Sequence, residues 1–419
     1  MRILLWHGYL LGGTGSNVYT RAIAREWALQ GHEVVVFCQD PDPSRFDLGG
    51  AEVVRPELPD DLLPVFVLDR YEGLEARLLQ DLTTIQRARY VDANARAVEA
   101  HLPADFVFAN HVLPGGAVAA ATGARFGVKA HGSELEYSIR GNEELIAEAQ
   151  EALARAHAVF VGSAHIQSVL EEVVGPMEQM AERVHKVSPG VDVDQFRPKG
   201  RAEALADLLA ECRRDPPNPG NRNERLPDEG NARRLERFFE GALPTVVYFG
   251  KLLYNKGVHL LIEALQGITA RAVIVGFGDY RQHLESLAPR HTLFTGPLEH
   301  RHLLNLLPLA DVVVVPSIFP EAFGMVAAEA AAAGVPPLVA SHSGLAEVAG
   351  ELEQAYPEKH RALTSFATGD PLDLADKLHE LLQLSPSDRA ELGAAARRVA
   401  VERWSWQSAA QGLLKPFLA

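Results

Sequence analysis

Cysteine is almost absent from this chain: Cys38 and Cys212 are the only two in 419 residues. They lie far apart and in no ligand-like spacing, so a disulfide framework is not expected and no zinc motif is present. Two lone thiols in so long a chain suit a reducing compartment, and a cytoplasmic location is expected. Positive charge is also in deficit, with 40 Lys and Arg against 55 Asp and Glu and a formal net charge of −15. Nucleic acid is therefore not expected as a general partner, because phosphate backbones are held by a positive field. Long apolar runs are missing too. No stretch approaches the ~20 uninterrupted apolar residues that a spanning helix needs, and the most apolar region, Met325 to Ala340, is broken by Glu329, Gly334, Pro336 and Pro337. The opening Met1-Arg2-Ile3-Leu4-Leu5-Trp6 is too short for a signal-peptide core and reads as a first strand. Neither a Gly-x-Ser-x-Gly elbow nor a metal-like cluster of carboxylates, His or Cys is found, so no metal is expected. Asp40-Pro41-Asp42 alternates carboxylates but sits in a proline-rich loop.

What is present is an ordinary globular composition, 47% hydrophobic and 23% charged, in a chain long enough for two or more domains. In the first half, short apolar runs at Ile3–Trp6, Val34–Cys38, Phe106–Ala109, Phe126–Ala130, Val159–Gly162 and His185–Val187 predict strands. Helical patterns lie between them at Asn17–Gln30, Leu74–His101, Glu143–His157 and Ala164–Val173. The alternation restarts with predicted strands at Val246–Phe249, Ala272–Val275, Leu293–Thr295, Val312–Val315 and Leu338–Ala340. The helices expected there are Val258–Leu265, Tyr280–Leu287, Arg301–Leu307, Phe323–Ala333 and Pro371–Leu384. Strand followed by helix, repeated, means a parallel sheet covered on both faces. The expected class is α/β, with two Rossmann-like, doubly wound domains. The first spans 1–200 with a crossover helix at 403–419, and the second spans 244–402. Between them, 201–243 reads as an insertion or linker, because Asp215-Pro216-Pro217-Asn218-Pro219-Gly220-Asn221 is a breaker cluster. A ligand of such folds binds at the strand C-terminal ends, here expected in a crevice where the two domains face each other.

The motifs follow strands, as that placement requires. Pro320-Glu321-Ala322-Phe323-Gly324-Met325-Val326-Ala327-Ala328-Glu329 comes after the strand Val312–Val315 and opens a helix. Backbone N–H groups at Phe323, Gly324, Met325 and Val326 would face an anion with the positive helix end behind them. Glu321 and Glu329 would be separated by roughly 12 Å of helical rise, room for a diphosphate between a sugar and a ribose. The bland alternative makes Glu321 a solvated first-turn residue favoured by the helix dipole, and Glu329 a surface residue. Gly250-Lys251-Leu252-Leu253-Tyr254-Asn255-Lys256-Gly257 follows the strand Val246–Phe249. Its two lysines are either ordinary surface charges or fixed cations that stabilise a leaving diphosphate.

In the first half, Gly12-Gly13-Thr14-Gly15-Ser16-Asn17 lets a tight turn approach a ligand at a helix N-terminus. Its spacing is not that of the dinucleotide fingerprint, and Cys38-Gln39 stands where an acidic residue would bind a nicotinamide cofactor's ribose. Ala130-His131-Gly132-Ser133-Glu134 also follows a strand. His131 there contacts a sugar or is a loop histidine satisfied locally.

These loops, in this order, resemble glycosyltransferase family four, whose retaining members have the GT-B fold. The resemblance covers nearly the whole chain apart from 201–243. It extends to Ser188-Pro189-Gly190-Val191-Asp192, Phe196-Arg197-Pro198, Val275-Gly276-Phe277-Gly278 and the Trp404-Ser405-Trp406 helix. It implies retaining transfer of a sugar from a nucleotide-diphosphate donor to a hydroxyl acceptor, with no obligatory metal and no cofactor. The acceptor would be a small polar molecule, a glycan or a lipid-linked group. Glu321, His131, Lys251 and Lys256 would be catalytic. Gly13, Gly15, Ser16, Phe323, Gly324, Met325, Val326 and Glu329 would bind the donor, and Asn17, His111 and Glu134 the acceptor. Lys251 stands where the family usually has Arg, keeping the charge but losing the bidentate fork. The stretch Asn17-Val18-Tyr19 resembles the branch that contains inositol-phosphate and sucrose-synthesising transferases. A sugar-nucleotide epimerase of similar architecture and a non-catalytic sugar-nucleotide sensor are the rival readings.

Overall fold

The structure is a computed structural model and describes residues 1–68, 71, 73–176, 180–218 and 226–418. Its elements in chain order begin with β1 (Arg2–Trp6), α1 (Gly15–Leu29), β2 (Glu33–Phe37), β3 (Glu52–Val54), β4 (Leu62–Val65), β5 (Glu75–Leu78), α2 (Thr84–Glu99) and β6 (Phe106–Asn110). They continue through α3 (Ala117–Ala121), β7 (Phe126–Lys129), α4 (Glu143–Arg155), β8 (Ala158–Val161), α5 (Ala164–Val174), α6 (Met180–Arg183) and β9 (Val184–Lys186). There follow α7 (Arg201–Cys212), α8 (Asn231–Phe238), β10 (Thr245–Phe249), α9 (Val258–Ala264), β11 (Arg271–Val275), α10 (Arg281–Leu287), β12 (Thr292–Gly296) and α11 (His300–Leu306). The last are β13 (Val312–Val315), α12 (Met325–Ala332), β14 (Pro337–Ala340), α13 (Ser343–Ala355), β15 (Ser365–Phe366), α14 (Pro371–Gln383), α15 (Pro386–Arg403) and α16 (Trp406–Leu414).

The chain forms two compact units, one of Met1–Gly190 with Trp406–Ala419, the other of Val191–Ser405. The first holds a seven-stranded sheet in the order β3-β2-β1-β6-β7-β8-β9, with β4 and β5 paired apart from it. The second holds six strands in the order β12-β11-β10-β13-β14-β15. Pairing is parallel throughout, and the central strands are buried on both faces. That is why they read as continuous runs such as Val312–Val315 rather than as alternating patterns. Strand order reverses between β1 and β6 in one sheet and between β10 and β13 in the other, and it is at such switch points, outside the strand C-terminal ends, that open parallel sheets bind ligands.

The sequence reading and the structure differ in several places. The unit boundary falls at Gly190, and the segment 201–243 is part of the second unit rather than a linker. Leu208, Leu209 and Cys212 of α7 and Leu235 of α8 are buried in its core, and Arg271 donates from Nη1 to the Phe238 carbonyl at 2.6 Å. Residues 219–225 of that segment, including the end of the breaker cluster, lie outside the described residues, as does Ala419. The helix expected over Leu74–His101 is shorter. Its first part is β5, which pairs with β4, and α2 begins only after Thr83 and Gln86 form a reciprocal cap. The helix expected from Phe323 starts at Met325, because Gly324 sits at φ +130°. The C-terminal tract breaks at Trp404-Ser405, where Val191 donates its N–H to the Trp404 carbonyl at 2.6 Å. Among the described residues no helix is long and apolar enough to cross a membrane.

Candidate functional site

In the second unit the candidate residues gather on the loops after β10, β11 and β13, around the switch point. Glycines let these loops interlock. A Cβ on Gly257 (φ +69°) would stand 1.8 Å from the Pro316 carbonyl oxygen, and one on Gly276 (φ +140°) 1.8 Å from that of Gly250. Backbone bonds stitch the same loops: Ile318 donates to the Asn255 carbonyl at 3.0 Å and Leu252 to that of Phe277 at 2.7 Å. Across this join Lys256 Nζ meets Glu321 Oε1 at 2.5 Å, with both side chains a little over a quarter exposed. Lys251 is exposed on the same loop.

Glu321 precedes α12, whose first-turn N–H groups at Met325 and Val326 have no acceptor within the helix. Phe323 and Gly324 lie before that turn. The Phe323 ring is buried edge-on to Trp404, with centroids 5.9 Å apart, so its side chain belongs to the core. Glu329 lies on the second turn of α12. It keeps some contact with solvent, but desolvation pushes its carboxyl up to about 8, so at neutral pH it is mostly protonated. A cavity of about 550 Å³ opens beside the ends of β11 and β12, lined by Gly278, Arg281, Thr295, Gly296 and Pro297 among others.

In the first unit the loops after β1, β6 and β7 also converge on the switch point. Gly13 (φ +95°) and Gly15 are exposed, with nothing within 4 Å of an added Cβ. Ser16, half-buried on the first turn of α1, accepts at its carbonyl from Thr20 Oγ1 at 2.8 Å. Thr20 Oγ1 in turn receives the Asn110 amide Nδ2 at 3.0 Å, which leaves Asn110 Oδ1 to accept from His131 Nε2 at 2.7 Å. This directed chain fixes His131 as the Nε2–H tautomer and makes Nδ1 its acceptor side. Burial, with His111, Lys129 and His7 adding to it, lowers the His131 pKa well below the ordinary value, so the ring stays neutral.

Glu134 is fully buried. Its carboxylate faces His111 Nδ1 at 3.1 Å and accepts N–H groups from His131 at 2.9 Å and Val112 at 3.3 Å. Burial alone would raise its pKa, but these partners outweigh burial and hold it below the ordinary value. Asn17 is also buried, bonded to His7 Nε2 at 2.9 Å and to the Gly12 carbonyl. Asn17 and Glu134, both expected to contact the acceptor, are thus buried with their polar groups bonded to the neighbouring loops. His111 is buried with Nε2 unpartnered.

Several residues around these loops belong to no motif in the sequence. His7 and Tyr9 pack against His111, with ring centroids at 6.2 and 5.5 Å. Burial lowers the His7 pKa to about 3, and His111 adds to it. Lys129 is buried, donates to the Val187 carbonyl at 3.1 Å, and is lowered to about 7 by burial against the pull of Glu134. The signal that existed was position: each stands at or just after a strand C-terminus.

Spacing gave Cys212 no metal partner, yet the fold brings it to Asp215 and His302, all three buried, with one ligand atom of each within 4.8 Å. His302 Nδ1 accepts the Glu299 N–H at 3.1 Å. Its proton therefore sits on Nε2, turned toward Asp215 Oδ2 at 3.1 Å. A ligating histidine needs the opposite, a lone pair at the metal and N–H on the far side, so these residues do not fit a metal ion as arranged.

A family model of glycosyl transferases group 1 matches residues 234–399, and one of a glycosyl transferase 4-like domain matches 14–190. The chain belongs to the family-four glycosyltransferases, and its two parallel-sheet units are those of the GT-B fold. It is 32% identical over 245 residues to the D-inositol 3-phosphate glycosyltransferase of Xylanimonas cellulosilytica, covering 56% of this chain and 50% of that one. It is 30% identical over 269 residues to a GDP-mannose-dependent alpha-(1-6)-phosphatidylinositol monomannoside mannosyltransferase of Mycobacterium tuberculosis, covering 60% and 59%. Among solved structures, the sucrose-phosphate synthase of Thermosynechococcus elongatus superposes with a TM-score of 0.67 at 19% identity, covering 100% of this chain and 98% of that one. The chain spans about half the length of the curated relatives it matches.

Proposed function

We propose that this chain is a retaining glycosyltransferase that moves a sugar from a nucleoside-diphosphate donor to a hydroxyl of a polar or lipid-linked polyol. The observation that carries this reading is the Lys256–Glu321 pair at 2.5 Å, set beside the N-terminus of α12 at the β10/β13 switch point. A diphosphate placed there meets the first-turn N–H groups of α12 and the ammonium groups of Lys251 and Lys256. As the sugar–oxygen bond breaks, charge grows on the departing phosphate, and those fixed donors stabilise it. On this reading the lysines supply that charge in place of a metal ion, and no cofactor takes part. Glu321, released from Lys256, accepts a hydroxyl of the donor sugar. The largely neutral Glu329 carboxyl, which can donate as well as accept, suits the ribose hydroxyls. The cavity beside Gly278, Thr295 and Pro297 suits the base.

Retention follows if the acceptor hydroxyl attacks on the face the phosphate leaves, with that phosphate taking its proton. Within the first unit, neutral His131 presents Nδ1 as a hydrogen-bond acceptor, and Gly13–Gly15 leave the loop after β1 open to an acceptor molecule. The Mycobacterium relative is named for GDP-mannose and the Xylanimonas relative for inositol 3-phosphate, which supports a nucleotide sugar as donor and a polyol as acceptor. The two thiols, both free and buried, support a reducing cytoplasmic setting.

The test is a thermal-shift panel of UDP-, GDP-, ADP- and TDP-sugars, followed by turnover with inositol phosphates and inositol lipids. A matched donor at a hundredfold excess over Kd adds about 2.7 kcal/mol of stability. No stabilisation by any of the four classes would sink the proposal.

A further inference from the structure

Glu321 is clamped from behind by the start of α13, a segment to which the reading above gives no role. Its N–H donates to Ser343 Oγ at 2.9 Å, and its carbonyl accepts the Gly344 N–H at 2.9 Å. Behind Ser343 stands His342. Its Nε2 lies 2.7 Å from the Ser317 carbonyl, which can only accept, so Nε2 carries the proton. His342 Nδ1 is then an acceptor, and Ser343 Oγ lies 3.0 Å from it and donates. The hydroxyl hydrogen is thereby committed to His342, and the oxygen's lone pairs are turned to Glu321. One directed path runs from the loop after β13, through His342 and Ser343, back to the backbone of Glu321.

Two further features show that the clamp is tightly determined. Ser343 has φ +48°, a region that a non-glycine residue occupies only when its surroundings enforce it. An added Cβ on Gly344 would stand 2.6 Å from the Phe323 backbone, so α13 packs directly onto the loop between Glu321 and α12.

We propose that His342 and Ser343 are positioning residues for Glu321, holding its backbone so that its carboxylate faces the ligand side of the β10/β13 switch point. This rests on the reading of Glu321 as a sugar contact only for its effect on turnover. The clamp itself is a property of the free protein.

The test therefore has two arms, both on the full chain. In the first, backbone hydrogen exchange is followed without ligand in Ser343→Gly and Ser343→Ala. Glycine removes the hydroxyl and tolerates φ +48°; alanine removes the hydroxyl and keeps the strained residue. Both should speed exchange of the Glu321 amide by roughly tenfold or more, as expected when a part-buried amide loses its acceptor. Ser343→Gly should do so with an unchanged melting temperature. Unaltered exchange in both variants overturns the proposal.

In the second arm, turnover of UDP-glucose and GDP-mannose is measured for wild type, Ser343→Gly, Glu321→Gln and the double variant. Ser343→Gly should lower kcat roughly tenfold or more, with inhibition by UDP or GDP unchanged because Glu321 meets the sugar and not the nucleotide. Added to Glu321→Gln it should cost nothing further, since its effect passes through that carboxylate. An equal loss in both backgrounds overturns the positioning role. If wild type turns over neither donor, the transferase reading fails with these donors, and the exchange arm alone decides the clamp.

Discussion

Glu329 carries the most displaced carboxyl of the candidate donor loops. Desolvation raises it to about 8, and no ion pair offsets that among the described residues. Between about 4.5, the unfolded value, and 8, the native state keeps a proton that the unfolded chain releases. The native state therefore binds more protons across this window, and stability must fall as pH rises through it. Residual solvent contact keeps the effect below the full shift, so about 2–3 kcal/mol should be lost between pH 5 and pH 8. Glu329→Gln cannot ionise and should remove that component. Urea unfolding at the two pH values measures it, and equal pH slopes in wild type and variant would refute the burial argument. Lys129 works in the opposite direction. Burial lowers it to about 7, so its cost is present below that pH and is relieved as pH rises toward the unfolded value near 10.5. Lys129→Met should therefore stabilise the chain more at pH 6 than at pH 9.

At the scale of elements, the candidate donor loops depend on close backbone approach. Gly276→Ala places a methyl 1.8 Å from the Gly250 carbonyl oxygen at a φ of +140°. The loops after β10 and β11 must then part. The expected cost is about 3 kcal/mol, together with weaker nucleotide binding, since Lys251 sits next to Gly250. Denaturant melts and a UDP or GDP titration read both effects, and a variant with unchanged stability would show that the loops have slack. The sequence made these loops legible because each follows a run of buried valines or other strand formers and carries glycine beside charge. That pattern put Glu321, Lys256 and His131 on loops after strands, while their roles came only from the family resemblance. The short strands β3, β4 and β5 escaped it because they are only 3, 4 and 4 residues long, too short for an alternation to register. The segment 201–243 looked like a linker because proline and charge dominate it, yet Leu208, Leu209 and Leu235 are enough to anchor two helices in a core. The Ser343 clamp was invisible for a different reason. It joins residues 22 apart through a hydroxyl and a left-handed backbone, neither of which leaves a periodic mark.

At the scale of the whole molecule, the first unit is discontinuous: α16 and the residues after it complete a core begun by residues 1–190. Trp27 Nε1 donates to the Ala410 carbonyl at 3.0 Å, and the Phe417 ring stacks on Phe106 with centroids 3.9 Å apart. Gly127 leaves room for that ring, since an added Cβ would come within 2.9 Å of it. These contacts all fall inside one unit, whereas the second unit buries its own cluster from Val191 to Trp404. Phe417→Ala should therefore remove about 3–5 kcal/mol of packing from the first unit, the usual range for an emptied phenylalanine site. Backbone hydrogen exchange resolved by segment is the measurement. Protection should fall in β6, β7 and β8, which line the emptied site, and stay unchanged in β10, β11 and β13, whose core cluster contains none of those residues. Equal loss in both sheets would mean that the two cores unfold as one cooperative body, and the division of the chain into separately stabilised units would have to be given up.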